Sequence, residues 1–175
     1  MKKTIAIVGA TEKNGKEIIA KFASVPYRLL LISNEANELE KLGTDIIVKY
    51  PGSDIETLDC IKDGCWEADI IILAVPPEKM LEIATKFKEV ATQKIVIEMW
   101  GNENNSKELR KILPYSKLVS ISGFCSPKIT ISGEDKTVNE EIKNIFILAG
   151  FCVSDAVNIF KKSSQWKIFN RHKVK

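Results

Sequence analysis

Two glycines and the residue midway between them carry the first readable chemistry. Gly9 and Gly15 hold the outer places of a G-x-x-G-x-x-G spacing in the segment Lys3–Ala20, KTIAIVGATEKNGKEIIA, and the middle place is Glu12. The segment reads as a buried strand, a glycine-initiated turn and a helix that starts under the turn, the way a chain builds a phosphate-binding corner. In such a corner the first glycine makes the tight turn, the middle one lets the backbone approach a diphosphate, and the last lets helix pack on strand. A carboxylate at the middle place sets a negative charge in a diphosphate's path. Either the corner keeps its ligand despite Glu12, or the fold has kept its shape and lost or changed the ligand.

Two more places bear on the same chemistry. The second strand ends Leu31-Ile32-Ser33-Asn34-Glu35, where an acidic residue would take the ribose hydroxyls of NAD and a basic one the extra phosphate of NADP. Ser33 and Asn34 can hydrogen-bond either group and bring no positive charge, so NADP and NAD both stay open. An Asx turn leading into a helix Glu35–Leu42 explains the same residues without a ligand. Farther on, the buried run Ile70–Val75 stops at Pro76-Pro77. That stop sets the backbone of Ala74, Val75 and Pro76 at the carboxyl edge of a sheet, beside the first strand, where ligands bind in such folds; the prolines also serve simply to start the next helix.

The elements that must position these residues follow from periodicity. Apolar runs at Ile5–Val8, Leu29–Ile32, Ile46–Val48, Ile70–Val75 and Ile95–Ile97 are short, rich in branched residues and separated by segments of helical period. Further strand candidates are Leu118–Ile121, Ile129–Ile131 and Phe151–Val153. A helix is expected over Thr137–Leu148, begun near Thr137 or Asn139 and stopped at Gly150. This is the pattern of a mostly parallel sheet covered on both faces. The expected fold is α/β, doubly wound and Rossmann-like, in a single domain over residues 1–155.

Composition narrows the field. With 175 residues, 45% of them hydrophobic, the chain can bury a core of its own, and one domain without a helical second one is expected. No apolar run approaches the roughly 20 residues that span a bilayer, and MKKTIAIVGA is too short in its apolar stretch for a signal peptide; the expectation is a cytoplasmic protein. Cys60, Cys65, Cys125 and Cys152 form no C-x-x-C pair and the only histidine is His172, so reduced, mostly buried thiols are expected and a zinc site is not. A hydrolase triad lacks its histidine near any nucleophile, and a P-loop fails because Gly15 is followed by Lys16-Glu17. After Asp155 the formal balance is +6, against −3 for the rest of the chain. Ile159, Phe160, Trp166 and Phe169 can share one face of a helix there, so residues 156–175 are expected to form a docked helix with a basic outer side rather than a nucleic-acid module.

Taken together these residues carry a family resemblance. The chain resembles the NADP-dependent oxidoreductases of the deazaflavin coenzyme F-420, a single-domain Rossmann family related to the reductase domains of metalloreductases. The resemblance rests on IAIVGATEKNGKEIIA, DIIILAVPPEKM, KIVIEMWGN and the late run LPYSKLVSISGFCSPKITISGEDKTVNEEIKNIFILAGFCVSDA. It implies a dinucleotide along Gly9, Thr11, Asn14 and Gly15, with Glu12 and Lys13 in the same loop, its adenosine end near Ser33 and Asn34 and its nicotinamide half near Val75 and Pro76. The family has glycine at the place of Glu12, arginine at that of Asn34, and aspartate followed by small residues where this chain has Glu98-Met99-Trp100.

The function implied is an oxidoreductase that moves a hydride to or from NADPH or NADH, with redox chemistry supplied by the cofactor and geometry by the protein. Its acceptor is unread; Trp100, Phe124 and Ser126 would line that pocket. Two other readings stay open: a Rossmann-like binding or regulatory domain that no longer turns over a dinucleotide and holds none, and an atypical short-chain reductase or sensor domain, since Gly9-Ala10-Thr11 begins that group's loop as well. The expected partner is a small-molecule dinucleotide, with no membrane and no nucleic acid; homo-oligomers are left open.

Overall fold

Branched apolar runs too short for helices collapse into one sheet. The computed structural model describes residues 2–99, 103–124 and 128–154. Its strands are β1 (Thr4–Val8), β2 (Arg28–Ile32), β3 (Asp54–Leu58), β4 (Ile70–Leu73), β5 (Ile95–Glu98), β6 (Lys117–Ser122), β7 (Ile129–Gly133) and β8 (Val153–Ser154). Between them run α1 (Lys13–Phe22), α2 (Ala36–Lys49), α3 (Ile61–Glu67), α4 (Pro77–Phe87), α5 (Glu103–Ile112) and α6 (Lys136–Leu148). The strand order is β3-β2-β1-β4-β5-β6-β7-β8. Every pairing is parallel except β6 with β7.

Strand alternation divides the core into two layers. Ile5, Ile7, Leu29, Leu31, Ile70 and Ile72 face Ile18 and Phe22 of α1, Leu39 of α2 and Phe146 of α6. Ala6, Val8, Leu30, Ile71 and Leu73 face Cys65 of α3, Met80 and Phe87 of α4 and Leu109 of α5. Because both faces are covered, central strands such as IIIL in β4 are apolar throughout. The order reverses at β1, where the chain passes from β2 and β3 on one side to β4 on the other. This doubly wound arrangement is a Rossmann fold, and the reversal opens a crevice at the carboxyl edge.

Four expectations need correction. Ile46–Val48 is not a strand: it ends α2, which runs to Lys49 rather than stopping at Leu42. Leu39, Gly43 and Ile46 are buried at helical spacing, whereas Ile47 and Val48 are exposed. The third strand is instead Asp54–Leu58, DIETL, an edge strand with no apolar run to announce it. Helix α6 starts a residue early because Asp135 caps it, accepting from the amides of Thr137 at 2.9 Å and Val138 at 3.2 Å. Among the described residues Cys60, Cys65 and Cys152 are free thiols, and against the expectation that most would be buried only Cys65 is; Cys60 and Cys152 are exposed. Among the described residues no helix is long and apolar enough to cross a membrane and no cluster could hold a metal. The expected terminal helix over 156–175, with His172, and the residues Trp100, Cys125 and Ser126 lie outside the described residues.

Candidate functional site

Backbone packing alone fixes the first turn. The amides of Gly9 and Ala10 both donate to the carbonyl of Ile32, at 2.9 and 3.0 Å, tying the turn after β1 to the end of β2. Gly9 has φ +88°, and a Cβ there would lie 2.7 Å from Cγ1 of Val75 after β4. A Cβ on Gly15 would lie 2.1 Å from the carbonyl oxygen of Gly9. Both outer glycines are therefore demanded by the meeting of α1, β1 and β4. Neither requires a ligand to explain it.

Side chains extend the same joint. The hydroxyls of Thr11 and Ser33 are buried and 2.7 Å apart, and Ser33 Oγ also accepts from the amide of Glu35 at 3.2 Å. Glu12 stands at the cap position of α1 in extended conformation, φ −66° and ψ 156°, and its side chain makes no capping bond. Its carboxylate points across to α4, with Oε1 3.7 Å from Nζ of Lys79. The amides of Lys13, Asn14 and Gly15 find no acceptor among the described residues, as expected for the open end of a helix. Asn14 is buried, and its Nδ2 has no hydrogen-bond partner there either.

These elements enclose a cleft of about 120 Å³ lined by Val8, Gly9, Thr11, Glu12, Ile32, Ser33, Asn34, Glu35, Ile61, Val75, Lys79 and Ile83. Of the residues expected at a site, Gly9, Thr11, Glu12, Ser33, Asn34 and Val75 line it. Lys13 is exposed at the start of α1, Asn14 and Gly15 are buried in its first turn, Ala74 is buried, and Pro76 caps α4; none of these five lines the cleft. Sequence reasoning missed Ile61, Lys79 and Ile83. Their only signal was position in the helices that follow β3 and β4.

The charges around the cleft are mostly paired. Lys16 of α1 binds Glu38 of α2, and this hydrogen bond holds the Glu38 carboxyl below its ordinary range. Arg28 sits at the other end of β2, bound to Glu67 and Glu56. Beside β4, the carboxylate of Glu98 is buried at the end of β5, its Oε1 accepting from Ser106 of α5 and Ser120 of β6. Glu98 Oε2 has no partner among the described residues. Phe124, expected near an acceptor pocket, packs into an aromatic cluster with Phe151, ring centroids 5.6 Å apart.

The architecture belongs to a populous class. The chain is similar in structure to the NADP-bound pyrroline carboxylate reductase of Plasmodium falciparum, with TM-score 0.66 and 13% identity over 87% of this chain; it spans 57% of that chain's length. A protein of Arthrobacter sp. FB24 assigned as an F-420-dependent NADP reductase gives TM-score 0.68 and 13% identity over 87% of this chain and 83% of that one. The N-terminal domain of HmdIII from Methanocaldococcus jannaschii gives TM-score 0.68 and 14% identity over 89% of this chain and 99% of that one. No family model matches the chain, and no curated protein matches its sequence. At such identities the likeness shows the fold alone, a Rossmann fold.

Proposed function

We propose that the chain is a nicotinamide-dinucleotide-binding oxidoreductase domain that grips its cofactor mainly by the adenosine end. The observation that carries this is the cleft at the reversal of strand order, with apolar walls and a polar rim. Ile61, Val75 and Ile83 supply faces for a base, and Ser33, Asn34 and Glu35 supply acceptors for ribose hydroxyls. The glycine turn and the three open amides of α1 fit a diphosphate once the Glu12 carboxylate turns aside. When bound, the cofactor would supply the hydride chemistry; the chain's own part is to hold and orient it, with Val75 and Pro76 toward the nicotinamide half. The position of Glu12 equally favours a second reading, a Rossmann-like domain whose diphosphate corner is closed.

Calorimetry on the full chain distinguishes them. A carboxylate about 5 Å from a phosphate charge costs roughly 3 kcal/mol at an effective dielectric near 20, about a hundredfold in affinity. Wild type is expected to bind NADPH and NADH weakly and within about tenfold of each other, because Arg28 is engaged elsewhere and Lys79 is the only basic residue lining the cleft among the described residues. Glu12→Gly is expected to gain at least about tenfold. Failure of both proteins to bind would remove the oxidoreductase reading, and a wild type that binds tightly with no gain in the variant would show that Glu12 is not in the path.

A further inference from the structure

We propose that Lys79 is the cation that receives a nucleotide's diphosphate in this cleft, and that Glu12 holds it in the free protein, so that ligand and carboxylate compete for one ammonium group. The proposal rests on the nucleotide reading of the cleft. Two observations carry it. Glu12 ignores the open amides at its own helix end and reaches instead toward Lys79, 3.7 Å away on another helix. Lys79 lies in the first turn of α4 and lines the cleft, whereas Lys16 is taken by Glu38 and Arg28 by Glu56 and Glu67.

The electrostatics then run in one direction. Two helix amino ends, those of α1 and α4, and one ammonium group give the cleft three sources of positive potential; of the two carboxylates that line it, Glu12 and Glu35, Glu12 is the one paired with Lys79. Its pair with Lys79 is exposed on both sides, with side-chain exposures of 40% and 58%, and an exposed pair is held loosely. A diphosphate carries more charge than a carboxylate and can also use the open amides, so it displaces Glu12 rather than adding to it. Lys79 therefore contributes most to affinity when Glu12 is neutralised.

Three probes separate the phosphates: ADP-ribose carries the diphosphate, 2′-AMP only a ribose phosphate, and adenosine none. Each is titrated calorimetrically into wild type, Lys79→Gln, Lys79→Arg, Glu12→Gln and the double variant Glu12→Gln/Lys79→Gln. We expect Lys79→Gln to weaken ADP-ribose at least about tenfold in the Glu12→Gln background and less in wild type, with Lys79→Arg close to wild type. Adenosine and 2′-AMP should stay within about twofold throughout. ADP-ribose affinity that is insensitive to Lys79 in the Glu12→Gln background, while adenosine still binds, overturns this proposal and leaves the nucleotide reading standing. Equal losses for 2′-AMP and ADP-ribose overturn it too, by moving the cation to the ribose phosphate. If no probe binds any variant, the nucleotide reading falls and takes the proposal with it.

Discussion

Gly9 and Gly15 show how one spacing can record two different demands. Each excludes a side chain because backbone or Val75 already fills the space, so the pattern certifies the joint between α1, β1 and β4 and says little about a ligand. Only the middle place speaks for the ligand, and there the chain has Glu12. The packing claim predicts that Gly15→Ala, whose Cβ would fall 2.1 Å from a backbone oxygen that no rotamer change can move, costs at least about 3 kcal/mol. Urea unfolding checks it; a loss below 1 kcal/mol, the ordinary scale of a surface change, would show that the joint can open. Within the cleft, residues set by local spacing were legible: Gly9, Thr11 and Glu12 from the turn, Ser33 and Asn34 from the strand end, Val75 from the stop before Pro76. Ile61, Lys79 and Ile83 were not, because topology rather than spacing brings α3 and α4 to that edge, and a half-exposed isoleucine on an amphipathic helix looks like any other.

At the scale of elements, legibility followed burial. Strands covered on both faces, such as β1 and β4, announce themselves as unbroken branched runs, whereas β3 at the edge of the sheet has only Ile55 and Leu58 turned partly inward. The run Ile46-Ile47-Val48 misled for the complementary reason: it ends a helix in which only the first of the three is buried. Helix α3 lies close against the sheet, since a Cβ on Gly64 would meet Ile32 at 2.5 Å, and the next residue, Cys65, is sealed in the core layer it shares with α4 and α5. Burial pushes its thiol up from 9.0 to about 12, the nearby ammonium of Lys94 opposing only in part. A raised acid stabilises the fold fully below its unfolded value, and the contribution is lost as pH climbs from about 9 toward 12, because the unfolded chain releases the proton first. Urea midpoints measured from pH 8 to 11 should therefore fall more steeply for wild type than for Cys65→Ala. Parallel slopes would mean that the thiol reaches solvent in the folded protein, and under native conditions a thiol reagent should label the exposed Cys60 and Cys152 well ahead of Cys65.

The molecule as a whole is a single sheet whose two covering layers meet the solvent crevice at one point, the reversal beside β1. Alternation of strand and helix was enough to read the α/β class, but strand order came from analogy, since nothing in a periodicity says which strand lies beside which; the antiparallel step at β7 likewise depends on a connection rather than on a pattern. Because the glycine joint is closed by protein atoms alone, the fold should stand without a nucleotide, and any ligand should add stability only by mass action. That gives a prediction with a size. Ligand at about a hundred times its Kd adds about 2.7 kcal/mol, and a domain of this length shifts by roughly 2–4 °C per kcal/mol, so saturating ADP-ribose should raise Tm by about 5–10 °C. If Glu12→Gln tightens binding tenfold, the same concentration should add about 1.4 kcal/mol more, a further 3–5 °C or so. Scanning fluorimetry at matched ionic strength reads both shifts. Pyrophosphate matching the ADP-ribose effect would mean that the corner takes any anion and the base walls contribute nothing, whereas flat melting curves for both proteins at millimolar ADP-ribose and NADPH would leave the crevice without a nucleotide to hold.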